Sequence, residues 1–197
     1  MALRTLRPLN YSNLQEALPL AGVVSSVDRW VFLAISLYLS SPLAYEIFRE
    51  LTILGSIILW ASVATALFAA GRRREAYLLA LGLAISIATV AAFKLAFFRP
   101  RPFAPSATAS GELVGEAASS FPSGHTARAF SAATVLGRRF LRGKILLWSA
   151  AFIAGFSRVY LGYHWPTDVV AGAFLGWLSG LAALRLEGFF RGRGVRF

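Results

Sequence analysis

Residues 157–168 read Ser-Arg-Val-Tyr-Leu-Gly-Tyr-His-Trp-Pro-Thr-Asp and stand between two long apolar segments. The stretch brings a guanidinium (Arg158), an imidazole (His164) and a carboxylate (Asp168) within twelve residues. Ionisable side chains in or beside membrane spans are costly, so they are candidates for function. We interpret this stretch as the centre of the fold, with an apolar helix on each side of it.

The sequence on both sides of this stretch has the composition of a membrane protein. Of its 197 residues, 57% are hydrophobic and 15% are charged, and the mean hydropathy is +0.62. A helix of about 20 apolar residues crosses a bilayer, and the chain contains six apolar runs. They cover approximately residues 28–39, 51–70, 76–98, 122–137, 145–160 and 167–184. The sequence therefore predicts an all-α, polytopic membrane protein with a bundle of six transmembrane helices.

The predicted domain organisation is simple, with one membrane domain over residues 27–186. A cytoplasmic or interfacial segment, 1–26, precedes it and a basic cytoplasmic tail, 187–197, follows it. Residues 1–16 have no apolar core before a small-residue cleavage site, so no cleavable signal peptide is expected. The first span is short, and it either ends before Pro42 or continues through it towards Phe48.

The positions of the cations predict the orientation of the six spans. Thirteen lysines and arginines fall on the side that holds both termini, and three fall on the other side. The thirteen are Arg4, Arg7, Arg72, Arg73, Arg74, Arg138, Arg139, Arg142, Lys144, Arg185, Arg191, Arg193 and Arg196; the three are Arg49, Arg99 and Arg101. The positive-inside rule then places the termini in the cytoplasm. The polar connection 99–121 and the turn 160–166 fall on the outer face.

The net charge of +11 comes from these short clusters between apolar runs. A nucleic-acid-binding module would carry a basic face with interleaved aromatic residues, which this chain lacks. The absence of cysteine excludes disulfides and thiolate metal sites.

Three polar groupings are predicted to meet at the outer face. The first, Lys94 to Pro102, ends the third span, and its cations could simply reach back to the headgroups. The second, Pro122-Ser123-Gly124-His125, opens the fourth span; its open backbone N–H groups would attract phosphate, although Ser123 could be an ordinary N-cap. The third is the opening stretch, in which Asp168 could cap a helix or hydrogen-bond a ring nitrogen of His164. Independent snorkelling and capping residues would not need to share one face, so we favour a common site.

In order and spacing, these groupings resemble the three-part signature of the type 2 phosphatidic acid phosphatase superfamily. The matching patterns are Lys94-x6-Arg101-Pro102, Pro122-Ser123-Gly124-His125 and Ser157-Arg158-x5-His164-x3-Asp168. The superfamily includes membrane lipid phosphatases and shares its core with vanadium haloperoxidases and bacterial acid phosphatases. The resemblance covers about residues 50–185.

The resemblance implies a metal-independent phosphatase that works through a phosphohistidine, with no cofactor. It implies that His164 attacks phosphorus, that Asp168 orients His164, and that His125 protonates the leaving oxygen. The phosphoryl oxygens would be held by the remaining signature residues, Lys94, Arg101, Ser123, Gly124 and Arg158. A magnesium site would need more carboxylates than the single Asp168 that the three motifs offer.

Arg128 lies one helical turn beyond His125, and it either extends the anion site towards a second phosphate or snorkels outward.

A site at the outer interface suits a lipid whose tail stays in the bilayer. Polyprenyl pyrophosphate, phosphatidylglycerol phosphate and phosphatidic acid are the candidate substrates. Two alternatives remain: a phosphotransferase with a lipid acceptor, and a carrier that only moves an anionic lipid. Transporters usually show inverted repeats and interrupted helices near the midplane, which disfavours the carrier. Oligomeric state cannot be read from the chain.

Overall fold

A computed structural model describes residues 21–102 and 119–193 of the chain. The predicted N-terminal segment up to residue 20, most of the polar connection and the last four residues of the tail lie outside the described residues. The described residues contain seven α-helices, two 3₁₀ turns and no strand. The all-α prediction is thus confirmed for this part of the chain.

Apart from the polar connection between the fourth and fifth helices, the described helices follow one another with short connections. We number them α1 (Ala21–Tyr38), α2 (Pro42–Leu51), α3 (Ile57–Ala69), α4 (Arg73–Ala96), α5 (Gly124–Arg139), α6 (Lys144–Tyr160) and α7 (Pro166–Gly192). The 3₁₀ turns are Thr52–Gly55 and Leu141–Gly143.

Among the helices of the described residues, α4 and α7 are long and apolar enough to cross a membrane, by length and composition. A third span is possible if Pro42–Gly55 and Ile57–Ala69, which meet at a 49° bend, count as one broken span. α5 and α6 have 16 and 17 residues and are short for a full crossing. Six spans therefore remain a proposal.

The first two predicted spans differ from the structure in their boundaries. α1 begins at Ala21, ahead of the predicted start near residue 28, and it ends before Pro42, which is one of the two ends considered for it. Pro42 occupies the first turn of a separate helix with Ser41 as its N-cap. The second apolar run is not one helix, because the 3₁₀ turn interrupts it and Ser56 caps α3 by accepting from Leu59 N at 3.0 Å. A serine hydroxyl competes well for the open N–H groups of a helix start.

α5 is the centre of the bundle, and its close contact with α7 depends on small residues. A Cβ atom at Gly176 would lie 2.1 Å from the carbonyl oxygen of Ala127, and one at Gly172 would lie 2.5 Å from that of Ser123. With Gly180 they form a glycine row at four-residue spacing, the pattern that lets membrane helices approach closely. This approach sets the start of α5 against the start of α7, where Ser123 N donates to Asp168 O at 3.0 Å.

The two ends of the bundle differ in chemistry. α4 and α6 end where α5 and α7 begin, and this end holds the signature residues. At the other end the buried carboxylate of Glu187 pairs with Arg139 at 2.7 Å and with Arg74. Large apolar side chains cover the outside, as expected for a surface facing lipid. Examples are Leu37, Ile58, Leu95, Ile145, Phe152 and Val170.

Candidate active site

The turn that carries His164 is built by the C-terminal cap of α6. Gly162 adopts a positive φ of 73° just after the helix. Its N–H donates to Val159 O and the next N–H, of Tyr163, donates to Arg158 O, each at 3.0 Å. This is a Schellman motif, in which glycine is favoured because it alone takes that conformation without steric cost. The cap reverses the chain and turns His164 back over the end of the bundle.

The imidazole of His164 is buried, with 1% of the residue exposed. Its Nδ1 lies 2.7 Å from the carbonyl oxygen of Ser120. A carbonyl only accepts, so Nδ1 carries the proton and Nε2 keeps its lone pair. Nε2 is buried and has no hydrogen-bond partner among the described residues. His164 is therefore arranged as a neutral imidazole with one free nucleophilic nitrogen.

The electrostatic surroundings of His164 favour this neutral form. Burial lowers the pKa of His164 from its ordinary 6.5 to about 4. The positive charges of Arg158 and Arg101 lower this pKa too, whereas the carboxylate of Asp168 raises it in part. His164 is thus neutral at neutral pH, with its lone pair available.

Asp168 is fully buried in the first turn of α7, and both of its oxygens have close partners. Oδ1 accepts from Arg99 Nη1 at 2.6 Å and Oδ2 accepts from Trp165 N at 2.9 Å, as in a capping box. Oδ2 lies 3.6 Å from His164 Nδ1, beyond hydrogen-bond range. In place of the hydrogen bond expected to Asp168, His164 Nδ1 donates to Ser120 O. Asp168 therefore acts on His164 through its charge, at 3.6 Å.

His125 is the second residue of α5, and its ring contacts Arg128. Nη2 of Arg128 lies 3.1 Å from His125 Nδ1. A guanidinium only donates, so Nδ1 accepts and the ring proton of the neutral imidazole sits on Nε2. Arg128 also donates from Nε to Gly55 O at 3.1 Å. The structure thus gives Arg128 a role beyond the two alternatives considered for it: it holds the tautomer of His125.

Gly55 explains how the ring of His125 is placed. A Cβ atom at Gly55 would lie 2.8 Å from His125 Cβ and 2.9 Å from His125 O. The 3₁₀ turn can pack this tightly on the start of α5 because the position has no side chain. The interruption of the second apolar run thus serves the site.

Arg101 and Arg158 lie close enough to both histidines for their charges to act on each ring. Arg101 donates from Nη1 to Tyr163 O at 2.9 Å. Arg158 donates from Nη1 to Thr52 Oγ1 at 3.0 Å, and its guanidinium carbon lies 4.3 Å from the centre of the Tyr163 ring. The two histidines and two arginines of the predicted site therefore share one electrostatic environment.

The other signature residues lie around this group. Lys94 donates from Nζ to Ser119 O at 2.6 Å, beside the segment that holds His164. Ser123 is buried and is the N-cap of α5; its Oγ accepts from Thr126 Oγ1 at 2.9 Å. The next two amides, of Gly124 and His125, have no acceptor within a helix that starts here. They form the start of α5 on which a phosphate could bind.

Sequence reasoning missed three residues of this site. Ser120 fixes the His164 tautomer through its backbone carbonyl, which leaves no signal in the side-chain pattern. Arg99 pairs with Asp168, although its position was compatible with snorkelling. Asp28 is fully buried in α1 and pairs with Arg99 at 2.5 Å. A carboxylate at the start of an apolar run is a usable signal, but the sequence pattern places Asp28 at the boundary of the first span and assigns it no role.

Within residues 21–102 and 119–193, no three histidine, aspartate or glutamate side chains are grouped as a metal site would require. The cationic side chains and the helix start are the groups available to an anion there.

The chain is similar in sequence to known membrane lipid phosphatases. The chain is 38% identical over 105 residues to lipid A 1-phosphatase of Porphyromonas gingivalis, covering 51% of this chain and 21% of that protein. It is 33% identical over 100 residues to undecaprenyl-diphosphatase BcrC of Bacillus subtilis, covering 49% of this chain and 50% of that protein. The chain thus spans about a fifth and a half, respectively, of these relatives.

A solved structure extends the likeness over most of the fold. It is the transmembrane PAP2-type phosphatidylglycerolphosphate phosphatase of Bacillus subtilis, with a TM-score of 0.70 and 26% identity. The match covers 85% of this chain and 87% of that one. These named relatives are phosphatases of lipid phosphates or pyrophosphates. The sequence profile of the PAP2 superfamily matches residues 75–191, more than half of the chain. The chain belongs to the PAP2 superfamily, the type 2 phosphatidic acid phosphatases.

Proposed function

We propose that this protein is a metal-independent integral membrane phosphatase that hydrolyses a lipid phosphate or pyrophosphate through a phosphohistidine. The observation that carries the proposal is the state of His164: its Nδ1 is held by Ser120 O, and its Nε2 is buried without a partner among the described residues. The charges of Arg101 and Arg158 act on the same ring. A free nitrogen beside two guanidinium groups suits attack on an anionic phosphorus centre.

The proposed first step forms a bond between His164 Nε2 and phosphorus and breaks the bond from phosphorus to the lipid oxygen. Nε2 of His125 carries a proton in the tautomer that Arg128 holds, so His125 can give that proton to the leaving oxygen. The ring then carries a negative charge, which the guanidinium of Arg128 at Nδ1 compensates until the second step returns the proton. Arg101, Arg158, Lys94 and the amides at the start of α5 would balance the charge on the phosphoryl oxygens.

The second step releases phosphate. His125, now deprotonated at Nε2, takes a proton from water as the water oxygen attacks phosphorus. The bond between phosphorus and His164 breaks, and its electron pair returns to Nε2. Both histidines are then in their starting forms, and no metal ion enters either step.

The proposal includes a multi-pass protein in the cell membrane, with a membrane domain over residues 27–186, both termini in the cytoplasm and the site on the extracytoplasmic face. The distribution of the cations supports this orientation. The exposed apolar side chains on the outside of the bundle support contact with the bilayer.

For the substrate, we propose an amphiphile whose tail stays in the bilayer while its phosphate enters the site from the interface. The named relatives act on lipid A, undecaprenyl diphosphate and phosphatidylglycerolphosphate. These compounds share a phosphate or pyrophosphate on a lipid, which is the substrate class we assign here.

The test is phosphate release from these lipids and from phosphatidic acid, in detergent with EDTA. We expect wild-type activity to survive EDTA and to fall below detection in His164→Ala. Arg142→Ala, a change in the 3₁₀ turn at the opposite end of the bundle, should retain activity. A phosphoenzyme trapped at high pH and mapped to the His164 peptide would identify the intermediate. A requirement for added magnesium would contradict the mechanism.

The same assay separates the two alternative functions. A phosphotransferase would accumulate a phosphorylated lipid acceptor in place of free phosphate. A carrier would release neither product and would bind the lipid equally well in His164→Ala.

A further inference from the structure

The N-terminal helix α1 contributes a buried carboxylate to the site, from outside the residues that match the family profile. Asp28 accepts from Arg99 Nη2 at 2.5 Å and from the backbone N–H of Thr167 at 2.8 Å. The hydroxyl of Thr167 donates to the same carboxylate at 2.5 Å. Asp28 thus binds both the arginine beside the site and the first turn of α7.

Arg99 links Asp28 to the site. Its Nη1 donates to Asp168 Oδ1 at 2.6 Å and to Thr167 Oγ1 at 2.7 Å. One guanidinium therefore joins the carboxylates of Asp28 and Asp168. Planar forks of this kind fix geometry as well as charge.

We propose that Asp28 is a positioning residue that acts through Arg99 on Asp168, and through Asp168 on His164. The inference rests on the proposed phosphatase function and extends it to a helix outside the matched family region. Asp28, Arg99 and Asp168 together carry one net negative charge. This charge lies beside an imidazole that becomes positive when its Nε2 bonds to phosphorus. Asp28 therefore stabilises the phosphorylated state without touching the phosphoryl group.

The main test is Asp28→Asn, which keeps the shape of the side chain and removes its charge. Because Asp28 acts on the nucleophile and not on the phosphate ligands, we expect kcat to fall about tenfold, ~1.4 kcal/mol, with KM unchanged within about twofold. Glu50→Gln is the matched control, since it also removes one negative charge but lies on exposed α2. It should leave both constants unchanged.

A double-mutant cycle with Arg99→Gln identifies the route of the effect. If Asp28 acts through Arg99, Asp28→Asn should cost little more once Arg99→Gln is present. A role in folding alone predicts that the full tenfold effect persists in that background. Equal losses in both backgrounds, or a change in KM alone, would overturn the proposal.

Thr167→Val is the second variant, for the case that Asp28→Asn fails to fold. It removes one donor to Asp28 at constant charge. We expect kcat to fall about threefold, and an unchanged kcat would count against the proposal.

Orthovanadate gives a readout that needs no lipid substrate, because it can mimic five-coordinate phosphorus. By calorimetry, Asp28→Asn should bind vanadate about tenfold more weakly than wild type, and Glu50→Gln should bind it equally well. If no lipid is hydrolysed but this difference appears, the phosphatase function fails and the positioning role stands. If lipids are hydrolysed and the two variants do not differ, only the positioning role fails. If wild type neither hydrolyses lipids nor binds vanadate, both proposals are wrong.

Discussion

At the scale of single residues, His164 determines how activity should depend on pH. Its pKa of about 4 lies well below the ordinary value because the ring is buried, so the attacking nitrogen stays unprotonated down to acidic pH. Protonation would occupy the lone pair. The part of kcat/KM that depends on His164 should therefore be lost only as the pH falls through about 4.

The measurement is kcat/KM from about pH 3 to about pH 8. The values are corrected for ionisation of the substrate phosphate, which is followed by phosphorus NMR. A loss of activity centred near 6.5 that remains after this correction, and that belongs to His164, would contradict a buried neutral nucleophile.

Arg128 gives a second prediction at this scale. Arg128→Met removes the donor to His125 Nδ1 while keeping a long side chain, so the ring tautomer is no longer fixed. We expect kcat to fall by about 10–100-fold on lipid substrates, within the usual contribution of general acid catalysis. The loss should be smaller for an aryl phosphate, whose leaving oxygen needs less protonation. A loss confined to pyrophosphate substrates would instead support the second-phosphate role.

The pattern of residue types predicted where the candidate site lies, but it did not predict the detailed contacts within the site. Each signature side chain lies at or just beyond a helix end, where Gly, Pro and Ser punctuate the sequence, so the site could be located from spacing. The partner of His164 Nδ1 is a backbone carbonyl, and that of His125 Nδ1 is an arginine one turn deeper. Such contacts depend on how distant segments pack, which spacing does not encode.

At the scale of helices, the contact between α5 and α7 should be very sensitive to added volume. In Gly176→Ala the new methyl group would meet the backbone of Ala127 at 2.1 Å, so the helices must separate. We expect a destabilisation of about 1–3 kcal/mol or more, with loss of activity because both helix starts carry site residues.

Gly188→Ala is the control on the same helix, since no atom of the described part of the chain lies within 4 Å of its added Cβ. This change should leave stability equal or slightly higher, because alanine favours the helix more than glycine does. Thermal unfolding in detergent compares the two variants. Equal stability would mean that α5 and α7 are not in contact as described.

Helix boundaries were predictable where polar punctuation marks them and not elsewhere. The starts of α5 and α7 follow from Pro122-Ser123 and Pro166, and hydropathy indicates α4 along most of its length. The break at Thr52–Gly55 falls inside an apolar run without proline, where periodicity and hydropathy give no sign of it and Gly55-Ser56 is the one local mark. Its cause is tertiary: Gly55 packs on His125, and its carbonyl accepts from Arg128.

At the scale of the whole molecule, the orientation of the bundle can be tested cleanly because the chain has no cysteine. A single cysteine introduced by Ser110→Cys, in the polar connection that the sequence predicts to lie on the outer face, should react with a membrane-impermeant maleimide in intact cells. One introduced by Arg142→Cys, at the basic end, should react only after the membrane is opened. The physical reason is the excess of cations on one side, which positive-inside topology assigns to the cytoplasm. Wild type should remain unlabelled throughout. If only Arg142→Cys were labelled in intact cells, the orientation would be the opposite of the one proposed, and the phosphatase site would lie in the cytoplasm.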